Sequence, residues 1–254
     1  MSSEFEPMVP STRLPESTPE LPRSLQYPFW NYEDVALFFG MGLPCLVLSV
    51  VVLEGLIMLL PSEPSRPMQL LTAQFIGYIL WFASLVLLFR VRYDAPFWPS
   101  LAWLMPKQGF WQAVFQGPML AFAVALLSLA LKTPQIEMPF KELVTDKVSL
   151  MLTGAFGVTI APLCEELAFR GFLMPLVVRS LGVWPGIFLT ALPFALMHGP
   201  QYSWSWRHML LLLLAGVAFG RVRHITGSTA AAVMTHATYN LTFFSALITA
   251  QGRG

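Results

Sequence analysis

Long runs of apolar residues constrain the fold of this chain more than any other feature of its sequence. A helix rises about 1.5 Å per residue, so about 20 apolar residues are needed to cross the hydrocarbon core of a bilayer. In that medium each backbone polar group must be satisfied internally, which favours helices. We therefore predict an all-α, polytopic transmembrane bundle of about seven to eight helices. The apolar runs cover residues 35–60, 67–89, 110–131, 148–178, 184–198, 209–222 and 227–249.

The composition supports the same medium. Hydrophobic residues make up 56% of the chain and charged residues 11%, whereas soluble proteins have about 25% charged residues. We expect an integral, multi-pass membrane protein with membrane lipid as a partner. The net charge is only +1, which provides no basic field for a nucleic acid, so nucleic acid is not expected as a partner.

The chain is predicted to have one helical domain. Residues 1–30 are rich in Pro, Ser and Glu and contain no basic segment followed by an apolar one, so we predict a disordered leader and no signal peptide. Residues 31–250 are assigned to a transmembrane helical domain. The apolar run 148–178 contains Pro162 and Pro175, which predict that its helix is kinked or split.

Several polar residues lie within the apolar runs of the second half of the chain. An ionisable group in hydrocarbon costs at least about 2.5–3.5 kcal/mol, so such groups are expected to be paired, clustered or functional. They are Glu165, Glu166, Arg170, His198, His236 and Asn240.

Their depth along the predicted helices allows them to meet. Three of them lie 13 or 14 residues, or about 20 Å of helix, from reference residues at the helix ends. Because a short turn or one complete span joins these ends, all three belong on one side of the membrane. The pairs are Glu165 with Arg179, His198 with Trp184, and His236 with Arg223.

The spacing within the motifs suggests different roles for the two carboxylates. Glu166 and Arg170 are four residues apart and can pair on one helix face. Glu165 lies about 100° around the helix and is left free to act as a general base in a polar cavity. His236 and Asn240 are also four residues apart, so they can present two adjacent hydrogen-bond donors to a developing oxyanion.

Other interpretations of these residues stay open on spacing alone. Phe194 lies four residues before His198 and is expected to shield or orient its imidazole. A Glu–Arg pair can simply stabilise a helix, and an intramembrane His or Asn can bond two helices together. The first alternative is therefore a non-catalytic membrane scaffold. The second is a proton- or ion-coupled transporter with a relay through Glu165, His198 and His236, although the internal repeats typical of transporters are not evident.

The order of the motifs resembles a known family. Glu165-Glu166-x-x-x-Arg170, Phe194-x-x-x-His198 and His236-x-x-x-Asn240 lie on successive predicted helices. They are similar to the three signature motifs of the CPBP family of intramembrane proteases. That family includes the Ras-converting CAAX prenyl endopeptidases and abortive-infection-type proteins. The resemblance covers roughly residues 148–245, which would form the protease core.

The resemblance implies an intramembrane endopeptidase, with CAAX-type processing of prenylated or other membrane-associated peptides. Glu165 would activate water and His198 would help to hold it. His236 and Asn240 would bind the oxyanion. Glu166, Arg170 and Phe194 would be supporting residues of the motifs.

A metal is the main chemical alternative within this resemblance. Glu165, His198 and His236 could form a His-His-Glu zinc set. The chain has no His-Glu-x-x-His segment, and the resemblance favours a glutamate-dependent mechanism without an obligatory metal. We therefore expect no cofactor.

Overall fold

A computed structural model describes residues 27–105, 109–136 and 146–251. The described residues form helices and contain no β-strand. Their α-helices are α1 (Tyr32–Gly40), α2 (Gly42–Ile57), α3 (Arg66–Tyr93), α4 (Phe97–Ser100), α5 (Phe110–Ala130), α6 (Lys147–Val158), α7 (Ile160–Glu166), α8 (Met174–Leu181), α9 (Val183–Met197), α10 (Trp206–Thr226) and α11 (Thr229–Gln251). A π-helical segment, Leu167–Leu173, joins α7 to α8, and a short 3-10 helix, Pro200–Tyr202, precedes α10.

The helices have the length and surface of membrane spans. Within the described ranges, five helical stretches are long and apolar enough to cross a bilayer: Tyr32–Ile57, Arg66–Tyr93, Phe110–Ala130, Lys147–Leu181 and Trp206–Thr226. Helix α9 is apolar but shorter. Large apolar side chains on the outside of the bundle, such as Leu43 and Val51, are exposed as lipid-facing residues are. The predicted helical membrane bundle and its multi-pass location are confirmed.

The long segment from α6 to α8 is divided, as its prolines predict. Helix α6 ends at Val158, and Thr159 has φ −117° and ψ −68° before α7 begins. Pro162 has no N–H to donate to the Val158 carbonyl, and its ring crowds that oxygen. The helix therefore breaks one turn before the proline. Pro175 instead lies in the first turn of α8, where a missing N–H costs little.

Residues 28–30 pack inside the helical bundle. Trp30 is fully buried, its Nε1–H donates to the Phe172 carbonyl at 3.0 Å, and its ring stacks on that of Phe172. The end of the predicted leader therefore belongs with the helical domain, because its aromatic side chains supply apolar surface to the core. The leader prediction for residues 1–26 lies outside the described residues.

Several helix ends meet at one end of the bundle, which we call the Tyr27 end. Arg92, at the end of α3, lies 2.6 Å from Asp34 in the first turn of α1. Tyr32 donates to the Ser180 hydroxyl of α8 at 2.8 Å. Arg223, near the end of α10, donates to the Tyr27 hydroxyl at 3.0 Å. This arrangement agrees with the expectation that the ends of these spans lie on one membrane side.

Helix α11 is the element that holds the second half of the chain together. It packs most extensively against α5 and also contacts α6, α7 and α10. The two backbones approach closely at Gly117 of α5, where an added Cβ would lie 2.4 Å from the Thr235 carbonyl oxygen and 2.6 Å from the Tyr239 backbone nitrogen. Only glycine permits this approach, and the contact fixes the position of α11 beside the acidic motif.

Candidate active site

The two glutamates of the acidic motif form the last two residues of α7 and differ in their surroundings. Glu166 is completely buried, and Arg170 Nη1 donates to its Oε1 at 2.8 Å. The predicted pairing across one helix turn is therefore present. Glu165 has a side chain that is 14% exposed, and its carboxylate accepts no hydrogen bond within the described part of the chain. Glu165 is thus the carboxylate that water can reach.

Arg170 is a fully buried cation with several compensating contacts. Its Nη2 donates to the Gly216 carbonyl of α10 at 2.7 Å. Its guanidinium lies over the ring of Phe194 at 4.5 Å and that of Phe219 at 5.5 Å. These contacts connect three helices through one charged group. They replace the water that a guanidinium loses on burial.

His236 lies between the two glutamates. Its Nδ1 is 2.9 Å from Glu166 Oε1, and its Nε2 is 3.9 Å from Glu165 Oε2. A carboxylate oxygen accepts, so Nδ1–H is the donor to Glu166 and Nε2 faces Glu165. The ring also stacks on Phe219, with centroids 4.4 Å apart and planes inclined by 19°. Both the position and the tautomer of this imidazole are therefore set by its neighbours.

His198 follows the last residue of α9, and one of its two ring nitrogens is hydrogen-bonded. Its Nδ1 is 2.8 Å from the Phe194 carbonyl oxygen. That oxygen can only accept, so Nδ1 carries the hydrogen, and Nε2 has a free lone pair in the neutral imidazole. The Phe194 ring lies between the two histidines, 5.0 Å from His198 and 5.8 Å from His236. Phe194 thus contacts both imidazoles and the buried arginine.

Asn240 lies one turn after His236 but is bonded to a different helix. Its Nδ2 donates to the Gly157 carbonyl at 2.8 Å, next to the break between α6 and α7. The amide carries a second hydrogen, which this bond leaves free. The observed contact attaches α11 to α6.

The sequence-predicted residues therefore form one tight group and two neighbours. Glu165, Glu166, Arg170 and His236 lie in a single charged cluster. His198 is connected to it through the Phe194 ring. Asn240 is connected through the backbone of α11.

The zinc alternative depends on whether Glu165 and the two histidines can share one ion. No group of three or more His, Cys, Asp or Glu residues within it has the arrangement to hold an ion. The predicted alternative through Glu165, His198 and His236 would have to use Nε2 of each histidine, because Nδ1 is engaged in both. The zinc alternative stays a prediction, and we derive no step through a metal.

Several features of the site were not predicted from the sequence. Phe219 and Gly216 lie in an ordinary apolar run, yet one ring stacks on His236 and the other residue accepts from Arg170. Gly216 also leaves little room for a side chain, since an added Cβ would lie 3.1 Å from Phe194 and 3.2 Å from the guanidinium. The π-helical segment after the glutamates was not predicted either, although such segments often occur at functional sites.

A known protein family matches the part of the chain that contains this cluster. Residues 147–242 match the family described as Rce1-like, type II CAAX prenyl endopeptidase Rce1-like. This segment is similar to the Rce1-like family. The match includes all three motifs, from Glu165 to Asn240, so the resemblance to these proteases is confirmed over these residues. Comparisons of the chain with curated proteins and with solved structures gave no match.

The Rce1-like match also defines the general class of activity. It supports a protease, in general a CAAX-type intramembrane endopeptidase. The family acts on peptide or protein substrates in membranes.

Proposed function

We propose that this Rce1-like protein is a CAAX-type intramembrane endopeptidase in which Glu165 activates the attacking water. The observation that carries the proposal is the contrast between the two glutamates. Glu166 is buried and held by Arg170 and His236, whereas Glu165 is partly exposed and has no direct hydrogen bond among the described residues. A general base must be able to reach its water, and Glu165 meets that condition.

In the proposed reaction Glu165 takes one proton from water, and the resulting hydroxide attacks the carbonyl carbon of the scissile peptide bond. The carbonyl oxygen becomes an oxyanion in a tetrahedral intermediate. When the C–N bond breaks, Glu165 returns the proton to the leaving amine. One water molecule is consumed, and a carboxylic acid and an amine are formed. His198 would orient the water, because its free Nε2 lone pair can accept the second water hydrogen.

The oxyanion requires donors on the opposite side of the carbonyl. His236 supplies one from Nε2–H when it is protonated, since its Nδ1–H is directed to Glu166. In that form its charge and that of Arg170 balance those of the two glutamates. A cluster with equal numbers of positive and negative charges has the lowest free-energy cost of burial in hydrocarbon. The second amide hydrogen of Asn240 is the other proposed donor.

The proposed substrate is a membrane-associated peptide or protein, prenylated at the processed terminus in the CAAX case. The apolar surface of the bundle suits a lipid-attached substrate, because such a substrate stays within the bilayer while its peptide reaches the cluster. Membrane lipid is the expected surrounding partner.

The test is cleavage of a farnesylated CAAX peptide by the purified protein in lipid. We expect Glu165→Gln and His198→Ala to abolish turnover, with a loss of at least about 100-fold, because both act on the water. Asn240→Ala should cause a large but smaller loss. Glu54→Gln is the matched control, since this glutamate lies exposed on α2, away from the cluster.

The same assay separates the alternatives. Turnover that is lost on chelation and restored by zinc would contradict the metal-free mechanism. Turnover by Glu165→Gln close to that of the wild type would contradict the assignment of the base. If the wild type cleaves an unprenylated membrane peptide and leaves the farnesylated one intact, the protease assignment stands and the prenyl substrate is wrong.

A further inference from the structure

A second polar site lies at the Tyr27 end of the bundle, away from the acidic cluster. It is a cavity of about 340 Å³ between the first described residues and the ends of α8 and α10. Its lining residues are Tyr27, Pro28, Met174, Pro175, Val178, Arg179, Arg223 and His224. We call it the basic cavity.

The two arginines of the basic cavity are bonded only to neutral groups. Arg179 donates to the backbone carbonyls of Pro28 and Trp30. Arg223 donates from Nε to the Thr229 hydroxyl and from Nη2 to the Tyr27 hydroxyl, both at 3.0 Å. Within the described ranges neither guanidinium has a carboxylate within 4.0 Å. The two positive charges are therefore not neutralised by these residues.

Arg223 is the more deeply buried of the two charges. It is only 7% exposed, and a buried cation is costly unless it meets an anion. Tyr27 does not supply that anion, because burial raises the pKa of its phenol and keeps it neutral. A guanidinium has five N–H donors, and the bonds to Thr229 and Tyr27 use two of them. The remaining donors are available to a ligand.

The position of the basic cavity indicates the kind of anion. Arg179 lies in the last turn of α8 and Arg223 in the last turn of α10, where apolar spans end and lipid headgroups lie. Met174 and Val178 add apolar wall below the charges. A phosphate group with attached acyl chains matches this combination, because arginine binds phosphate well and the chains meet apolar surface.

The substrate carboxylate of the proposed protease is too far away to be this anion. Arg179 follows Glu165 by 14 residues, which corresponds to about 20 Å of helix. Three extended residues beyond a scissile bond span at most about 10 Å. A peptide terminus released at Glu165 therefore does not reach the basic cavity.

We propose that the basic cavity binds the phosphate group of an anionic glycerophospholipid. Arg223 and Arg179 are the phosphate ligands, and the exposed His224 adds a polar donor at the rim. The cavity shares no residue with the acidic cluster, so its test is separate from that of the peptidase reaction.

The experiment measures the thermal unfolding midpoint of the full-length protein in neutral detergent during titration with lipid. Phosphatidylglycerol should raise the midpoint in a saturable way, whereas phosphatidylcholine should not. Arg223→Gln and Arg179→Gln should each weaken the apparent affinity for phosphatidylglycerol by at least about tenfold, because each removes a charge-assisted contact to phosphate. Arg221→Gln is the matched control, since Arg221 is exposed near the same helix end and does not line the basic cavity.

Three results would overturn the proposal. Equal stabilisation by phosphatidylcholine would show that the site does not distinguish the charge of the lipid. An equal loss of affinity for phosphatidylglycerol in Arg221→Gln would show a diffuse surface effect. Saturation by inorganic phosphate at the same concentration as by the lipid would assign the site to free phosphate. Arg223→Lys keeps the charge and should retain most of the affinity. If Arg223→Gln has a folding defect, the affinity of Arg179→Gln decides the outcome, because Arg179 is exposed.

Discussion

Replacing Arg170 by methionine removes the cation from the centre of the charged cluster while keeping a long apolar side chain. Both Arg170 and Glu166 are completely buried. The change leaves the Glu166 carboxylate without its cation and the Gly216 carbonyl without its donor. It also removes the guanidinium from the faces of Phe194 and Phe219. Both groups lose these contacts within the buried part of the bundle.

The magnitude follows from these losses. Breaking a buried ion pair by removing one partner costs about 3–5 kcal/mol, mostly because a charge is left unpaired. The unsatisfied carbonyl alone would cost about 1–3 kcal/mol, and these terms overlap because one side chain makes all the contacts. We expect Arg170→Met to lower the free energy of unfolding by about 4 kcal/mol. At about 2–4 °C per kcal/mol, the unfolding midpoint should fall by roughly 10 °C.

The assay is thermal unfolding of the purified protein in one detergent, for Arg170→Met, Glu166→Gln and the double variant. The double variant should be more stable than Arg170→Met alone, because glutamine is neutral and leaves no unpaired charge. Arg221→Met is the control, since it removes an exposed arginine and should change stability by less than about 0.5 kcal/mol.

Two results would refute this reasoning. A loss of less than about 1 kcal/mol for Arg170→Met would show that the cluster does not depend on its cation. Strict additivity of the two single changes would show that Arg170 and Glu166 do not interact energetically, despite their distance of 2.8 Å.

Two further predictions concern the supports of the cluster. Gly117→Ala should destabilise the protein by about 1–3 kcal/mol, because its Cβ would lie 2.6 Å from the Tyr239 backbone nitrogen of α11. Gly55→Ala is the control in thermal unfolding, since a Cβ added there would have no atom within 4 Å. Phe219→Leu should reduce turnover about two- to tenfold, because it removes the ring stacked on His236. The unfolding midpoint should fall by less than for Arg170→Met, because leucine keeps part of the apolar volume at this buried position. Unchanged turnover would show that this ring does not position the imidazole.

The sequence predicts those features that depend on the medium or on local geometry. The apolar runs predict the helices because a bilayer leaves the backbone few other choices. The pairing of Glu166 with Arg170 follows from their spacing of four residues. The division of the segment from α6 to α8 follows from Pro162, although the break itself lies one turn earlier, at Thr159.

Features that depend on packing between distant helices could not be predicted. His236 bonds with Glu166, 70 residues away, and nothing in either motif favours this glutamate over Glu165 as the closer partner. The contact of Asn240 with Gly157 joins α11 to α6 across 83 residues. Such choices follow from the close approach of helix backbones, which a single sequence does not display.

The π-helical segment Leu167–Leu173 has a consequence for how the chain tolerates length changes. A π turn contains an additional residue relative to an α turn, and each residue of an α-helix corresponds to about 100° of rotation. Deleting one residue here would remove the additional residue and leave α8 in register with the glutamates, whereas deleting one residue between Met174 and Arg179 of α8 would rotate the rest of that helix by that angle. Arg179 would then be carried away from the carbonyls of Pro28 and Trp30 that it now contacts. The π-helical segment is therefore where a change of one residue is tolerated, whereas the number of residues from Met174 to Arg179 is fixed by rotation and not only by distance.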